Sequence, residues 1–156
     1  MIMRTAHRTQ AHAKRKYQAD PFAIYKAIAR NTGFNESEQT DCALPVRLAW
    51  SSLRAGTADA NDIATLADVI AICIVAAENM DALVQETCES ARVALAEVAD
   101  RYTRVKRWGV DAKSLQDIPP IVDLYEELLR NATGGQMEQW LGGVREAKGR
   151  MAGAAL

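Results

Sequence analysis

Few side chains in this chain belong to the types that do chemistry, and their spacing argues against most reactions. Both histidines, His7 and His12, fall in the first twelve residues among Arg and Lys. A general base needs a rigid pocket and an orienting partner, and this stretch supplies neither a carboxylate nor a thiol. Cys73 and Cys88 sit inside apolar helical patterns, where a thiol acts as a small hydrophobe. Cys42 lies close to Glu38 and Asp41, which raise rather than lower a thiol pKa. No CxxC pair, GxxxxGK[ST] or GxGxxG occurs. The glycine pair Gly134-Gly135 reads as a flexible turn; its alternative is a helix start whose free N–H groups take an anion. No metal, cofactor or catalytic centre is therefore expected, and the chain reads as non-enzymatic.

The carboxylates carry the remaining signal. Glu86, Glu89, Glu97 and Asp100 fall on one stripe of a long helical pattern. Eleven residues make about three turns, so Glu86 lies over Glu97 and Glu89 over Asp100. Two readings stand side by side. The stripe can act as a negative surface that imitates a nucleic-acid backbone and occupies a basic groove. It can equally be a solvated helix face, stabilised by the i, i+4 pairs Glu97–Arg101 and Asp100–Arg104 and by the helix dipole. Glu36, Glu38 and Asp41 form a second acidic group that a basic protein partner could meet.

Charge is sorted along the chain. Residues 1–33 carry seven basic residues and one acid, a net of +6. Residues 34–100 carry twelve acids and three arginines, a net of −9, and residues 101–156 a net of +2. The near-neutral total of −1 thus combines a basic arm with an acidic body, an asymmetry that points to partners rather than to catalysis. Arg4, Arg8, Lys14, Arg15 and Lys16 could neutralise about five phosphates with a steep salt dependence, and Tyr17 could stack on a base. A solubilising terminus, or an arm docked on acidic protein, explains the same residues. Arg104, Arg107 and Trp108 form a smaller basic and aromatic group of the kind found at interfaces.

The elements that must position these residues are helical. At 156 residues one domain suffices, burying roughly 70% of its unfolded surface without disulfide or metal. The longest uncharged apolar run, Val69 to Ala77, is well short of the roughly 20 residues that span a bilayer. Arg, His and Lys occupy the place of a signal-peptide apolar region, so neither export nor a membrane anchor is expected. The odd cysteine count suits a reducing compartment.

Asp20-Pro21 predicts a helix start, with Phe22, Tyr25, Ile28 and Ala29 on one face and Gly33 as its stop. Asn35 and Glu38 predict a capping box, and Pro45 predicts a break. Thr57 predicts the cap of a central, largely buried helix over 59–80. Val84, Cys88, Ala91, Leu95, Val98, Tyr102 and Val105 recur at spacings of 4 and 3, a heptad seam over 82–108. Further helices are predicted over 120–131, and from a Thr133–Gln136 capping box until fraying sets in at Gly149. No stretch alternates with period two. The fold class is all-α: a bundle of five to six helices over 20–150, with a mobile basic arm at 1–19 and a frayed tail at 151–156. Surplus apolar surface on the long helix would also serve a homodimer.

Three stretches taken together resemble a loose group of small helical proteins encoded by phages and prophages of Gram-negative bacteria. They are Lys14-Arg15-Lys16-Tyr17, the run Leu44-Pro45-Val46-Arg47 to Leu53-Arg54-Ala55-Gly56-Thr57-Ala58-Asp59 and Asp62, and Val105-Lys106-Arg107-Trp108-Gly109. The resemblance spans about residues 14–135 and departs from the group at Pro119-Pro120, where an unbroken helix is expected. It carries over no functional residue. It implies a mobile-element origin and the cytoplasm of a bacterial host. Small non-enzymatic proteins of that origin often bind and disable host defence machinery, anti-CRISPR proteins being the best-known case. The implied partner is a host protein or nucleoprotein complex such as a CRISPR–Cas effector, with nucleic acid bound through the arm as the alternative.

Overall fold

Short polar side chains decide where the helices begin. Asn35 accepts the Glu38 N–H at 2.9 Å while Glu38 accepts the Asn35 N–H at 3.0 Å, closing the predicted capping box. Asp59 and Asp62 repeat the arrangement, and Asp81 caps through the Val84 N–H. The computed structural model, which describes residues 17–154, contains α1 (Ala23–Arg30), α2 (Glu36–Ala55), α3 (Ala60–Ala77), α4 (Ala82–Val105), α5 (Ala112–Asp117), α6 (Pro119–Asn131) and α7 (Gly134–Ala154); α1 and α6 begin without a side-chain cap, α6 on its proline pair. Six of these have eight residues or more, and α5 is a six-residue connector. The all-α architecture read from the sequence is the one observed. Among the described residues the only extended pairing is an isolated bridge between Gly33 and Thr133.

Helix α3 lies at the centre, touching α2, α4, α6 and α7. It buries Leu66, Val69, Ile70, Ile72, Cys73, Ala76 and Ala77. By length and composition alone it could cross a membrane; here its apolar circumference is met by four other helices. The seam of α4 packs inward through Cys88, Ala91, Leu95 and Val98. Ion pairs brace the outside. Arg47 of α2 holds Glu126 of α6, Lys148 of α7 reaches Asp68 of α3 at 2.8 Å, and Arg101 of α4 holds Asp111 before α5.

Several boundaries differ from the sequence reading. Pro45 does not break α2, which continues through it; the proline forfeits one bond to the preceding turn while its ring stays at the surface. Asp59, not Thr57, caps α3, and the Thr57 hydroxyl turns back to the Ser52 carbonyl at 3.4 Å. Helix α4 stops at Val105 rather than 108 because Lys106 is left-handed, with φ 55°, and Val105 of the seam is exposed. Helix α7 continues to Ala154 instead of fraying at Gly149.

The first helix turns over relative to expectation. It begins at Ala23, two residues after Pro21, and ends at Asn31, which adopts the left-handed cap expected of Gly33. It buries Ala23 and Ala27, leaving Phe22 61% and Tyr25 66% exposed. The cause is close approach. A Cβ on Gly134 would land on the Ala27 carbonyl oxygen and lie 2.6 Å from its carbon, so only small residues fit where α1 meets α7. Gly134-Gly135 is therefore a packing site, not a flexible turn. Of the N–H groups its anion-binding alternative would use, Gly134 donates to the Thr32 carbonyl at 2.9 Å and Gln136 to the Thr133 hydroxyl at 3.2 Å.

Candidate interaction surface

The cysteines are placed for packing. All three are free and buried. Burial, reinforced by Asp41, Glu38 and Asp20, pushes the Cys42 thiol up to about 12. Burial also raises Cys73 and Cys88. A thiol held protonated is a poor nucleophile and a poor metal ligand. Among the described residues no three His, Cys, Asp or Glu side chains gather as a metal site. His7 and His12 lie outside the described residues, as do Arg4, Arg8, Lys14, Arg15 and Lys16 of the expected basic contact.

The first acidic group does not form one face. Glu38 is buried, at 6% exposure, and accepts both guanidinium nitrogens of Arg30, at 2.6 and 2.7 Å. That ion pair and the Asn35 N–H hold its carboxyl below the usual carboxylate range, against the opposing effect of burial. Glu38 is thus the tie between α1 and α2, and it leaves the proposed contact surface for a physical reason: both its oxygens are already taken. Asp41 accepts the hydroxyl of Tyr17, so Tyr17 meets an acid of its own chain. Glu36 is exposed on the first turn of α2.

The α4 stripe is exposed, as its periodicity requires, but much of it is neutralised. Glu89 holds Arg92, Glu97 reaches Lys113 at 3.2 Å, and Asp100 meets Arg104 at 3.4 Å. The predicted Asp100–Arg104 pair forms, whereas Glu97 takes Lys113 because Arg101 turns to Asp111. Glu86 has no ion-pair partner among the described residues.

At the far end of α4, Trp108 stacks on Tyr102, with ring centroids 4.0 Å apart and planes at 11°. The Lys106 ammonium lies 6.0 Å from the Tyr102 ring centre. The Arg107 guanidinium folds over Gly56, 3.2 Å from where a Cβ would stand. Arg107 and Trp108 line one shallow pocket, whereas Arg104 is engaged by Asp100; Trp108 is half-buried.

A surface that sequence reasoning missed lies at the α3–α4 corner. Leu83 is 73% exposed and Met80 36% exposed. Glu78, Asp81 and Glu86 lie within three positions of one or other along the chain, all exposed and without an ion-pair partner among the described residues, Asp81 serving as the α4 cap. The Gln85 side chain fastens the corner by donating to the Met80 carbonyl at 3.0 Å. The available signal was Leu83, an apolar residue just off the heptad seam beside Asp81. No family model, curated protein or solved structure shows significant similarity to this chain.

Proposed function

We propose that this chain is a non-catalytic interaction protein that blocks a basic, nucleic-acid-binding surface on a partner, in the manner of phage inhibitors that disable host nucleoprotein complexes such as CRISPR–Cas effectors. One observation carries the reading: three exposed carboxylates without ion-pair partners among the described residues, Glu78, Asp81 and Glu86, lie within three positions of the exposed Met80 or Leu83 along the chain, on a braced helix corner. Apolar anchors within a charged rim are the usual make-up of an energetic contact. Negative charge there steers association with a basic channel and competes with phosphate. The α4 stripe extends this surface for about 21 Å from Glu86 to Asp100, with its own pairs loosened whenever the partner supplies better cations. The phage context comes from the sequence resemblance.

The test is inhibition of DNA binding by purified CRISPR–Cas effectors, read by gel shift. The chain should lower binding in proportion to its concentration, and inhibition should weaken as salt rises. The variant Glu78→Lys/Leu83→Ser/Glu86→Lys should abolish inhibition while moving stability by no more than about 1 kcal/mol, since each site is exposed. Reversal of Glu86, Glu89 and Glu97 should reduce inhibition further than single changes. Inhibition that survives both sets of reversals would sink the acidic-surface mechanism. Loss on deleting residues 1–16, with both reversals silent, would move the contact to the basic arm.

A further inference from the structure

A cavity of about 510 Å³ opens between α1, α2, α3 and α7, on surfaces separate from the α3–α4 corner. Its walls are apolar, with Ile24, Ile28, Val46, Val69, Ile72 and Leu141 among them. Tyr125 of α6 reaches it from below and is 3% exposed. No described residue accepts from or donates to the Tyr125 hydroxyl. No fully enclosed side-chain oxygen or nitrogen is left without a partner, so this hydroxyl opens onto the cavity. Burial pushes its pKa upward, so at neutral pH it keeps its proton and can donate.

Of the other polar groups around the cavity, the Tyr25 side chain is 66% exposed at its edge, and the rest are committed or balanced. The Thr65 hydroxyl donates to the Asn61 carbonyl at 2.9 Å. At the rim, Asp68 pairs with Lys148, while Glu138 and Arg145 contribute one charge of each sign. The mouth therefore selects no net charge. Water in its apolar depth finds few polar partners, the Tyr125 hydroxyl and the weak Cys42 thiol. Size, apolar walls and one convergent polar group are the marks of a small-molecule site.

We propose that this cavity binds a small, neutral, largely apolar molecule bearing one hydrogen-bonding oxygen, such as a phenol, alcohol or ketone, with that oxygen on the Tyr125 hydroxyl. Such a ligand takes the place of solvent on a hydroxyl that has no partner among the described residues.

The experiment titrates the full chain, ¹⁵N-labelled, with p-cresol and with toluene, which differ by the oxygen. Saturable shifts from p-cresol should centre on α1, α2, α3 and α7 residues around the cavity. The preference for p-cresol over toluene should fall about fivefold in Tyr125→Phe, the loss of one hydrogen bond, with toluene binding retained. The absence of saturable binding, or a preference unchanged by Tyr125→Phe, overturns the proposal. Ile28→Trp, which fills the cavity from its wall, covers the case in which Tyr125→Phe loses its native spectrum: loss of p-cresol binding supports the site, and undiminished binding overturns it.

Discussion

A single missing Cβ sets the geometry of one corner of this molecule. Because the Gly134 position touches Ala27 backbone, Gly134→Ala should destabilise the fold by about 3 kcal/mol or more, the cost of overpacking against a main chain that cannot yield. Gly142, in the same helix, has nothing near its missing Cβ, so Gly142→Ala should stabilise by about 0.5–1 kcal/mol through the backbone entropy of the unfolded chain. Urea denaturation of the two variants gives opposite signs if the close approach is real, and the same sign if it is not. Gly134 and Gly142 each begin a glycine pair in the sequence, and the difference between these two positions lies in what packs across from them. Thiol reactivity tests the same scale. Cys42, Cys73 and Cys88 are buried and held protonated, so a thiol-specific disulfide reagent should label the native chain slowly and all three sites rapidly in urea. Rapid native labelling of Cys42 would contradict its placement.

At the scale of elements, capping was legible and interruption was not. The boxes at Asn35–Glu38 and Thr133–Gln136 sit where their spacing puts them, because a cap is a local interaction between residues three apart. Pro45 misleads because burial of Val46, Ala49, Trp50 and Leu53 holds α2 together across the lost bond. Pro45→Ala should then raise stability by about 1–3 kcal/mol; an unchanged urea midpoint would mean that the helix pays nothing for its proline. The connector α5 carries no capping-box signature, because its cap uses Ser114 in place of Glu or Gln, closing a box with Asp111. Hydrogen bonds from Ser114, helped by Arg101, hold the Asp111 carboxyl down to about 2. A carboxyl depressed on folding contributes stability that is complete above its unfolded value of about 4 and is lost as pH falls through its folded value. Wild type should therefore lose stability relative to Asp111→Asn between pH 4 and pH 2, since asparagine still caps without titrating. Parallel pH profiles for the two proteins would remove Asp111 as a source of that dependence.

Across the whole molecule, the fold class followed from periodicity, whereas the candidate surface depended on which charges find partners. Glu38 and Asp41 are near one another in sequence with Glu36, yet Arg30 and Tyr17 consume them. Lys113 takes Glu97 from sixteen residues away, a pairing no helical spacing reveals. The corner at Glu78 to Glu86 is set apart from its neighbours by ion pairing, a property that spacing along the chain does not carry. The bundle is also closed by contacts between distant parts of the chain. Helix α1 packs on α7 and on α2, and the Gly33–Thr133 bridge joins residues one hundred positions apart. Closing so long a loop costs entropy that only the finished contact repays. On the ribosome, Ala23 and Ala27 therefore stay without their main partner until α7 has emerged, and docking of the first helix becomes the step that completes the fold rather than the step that starts it.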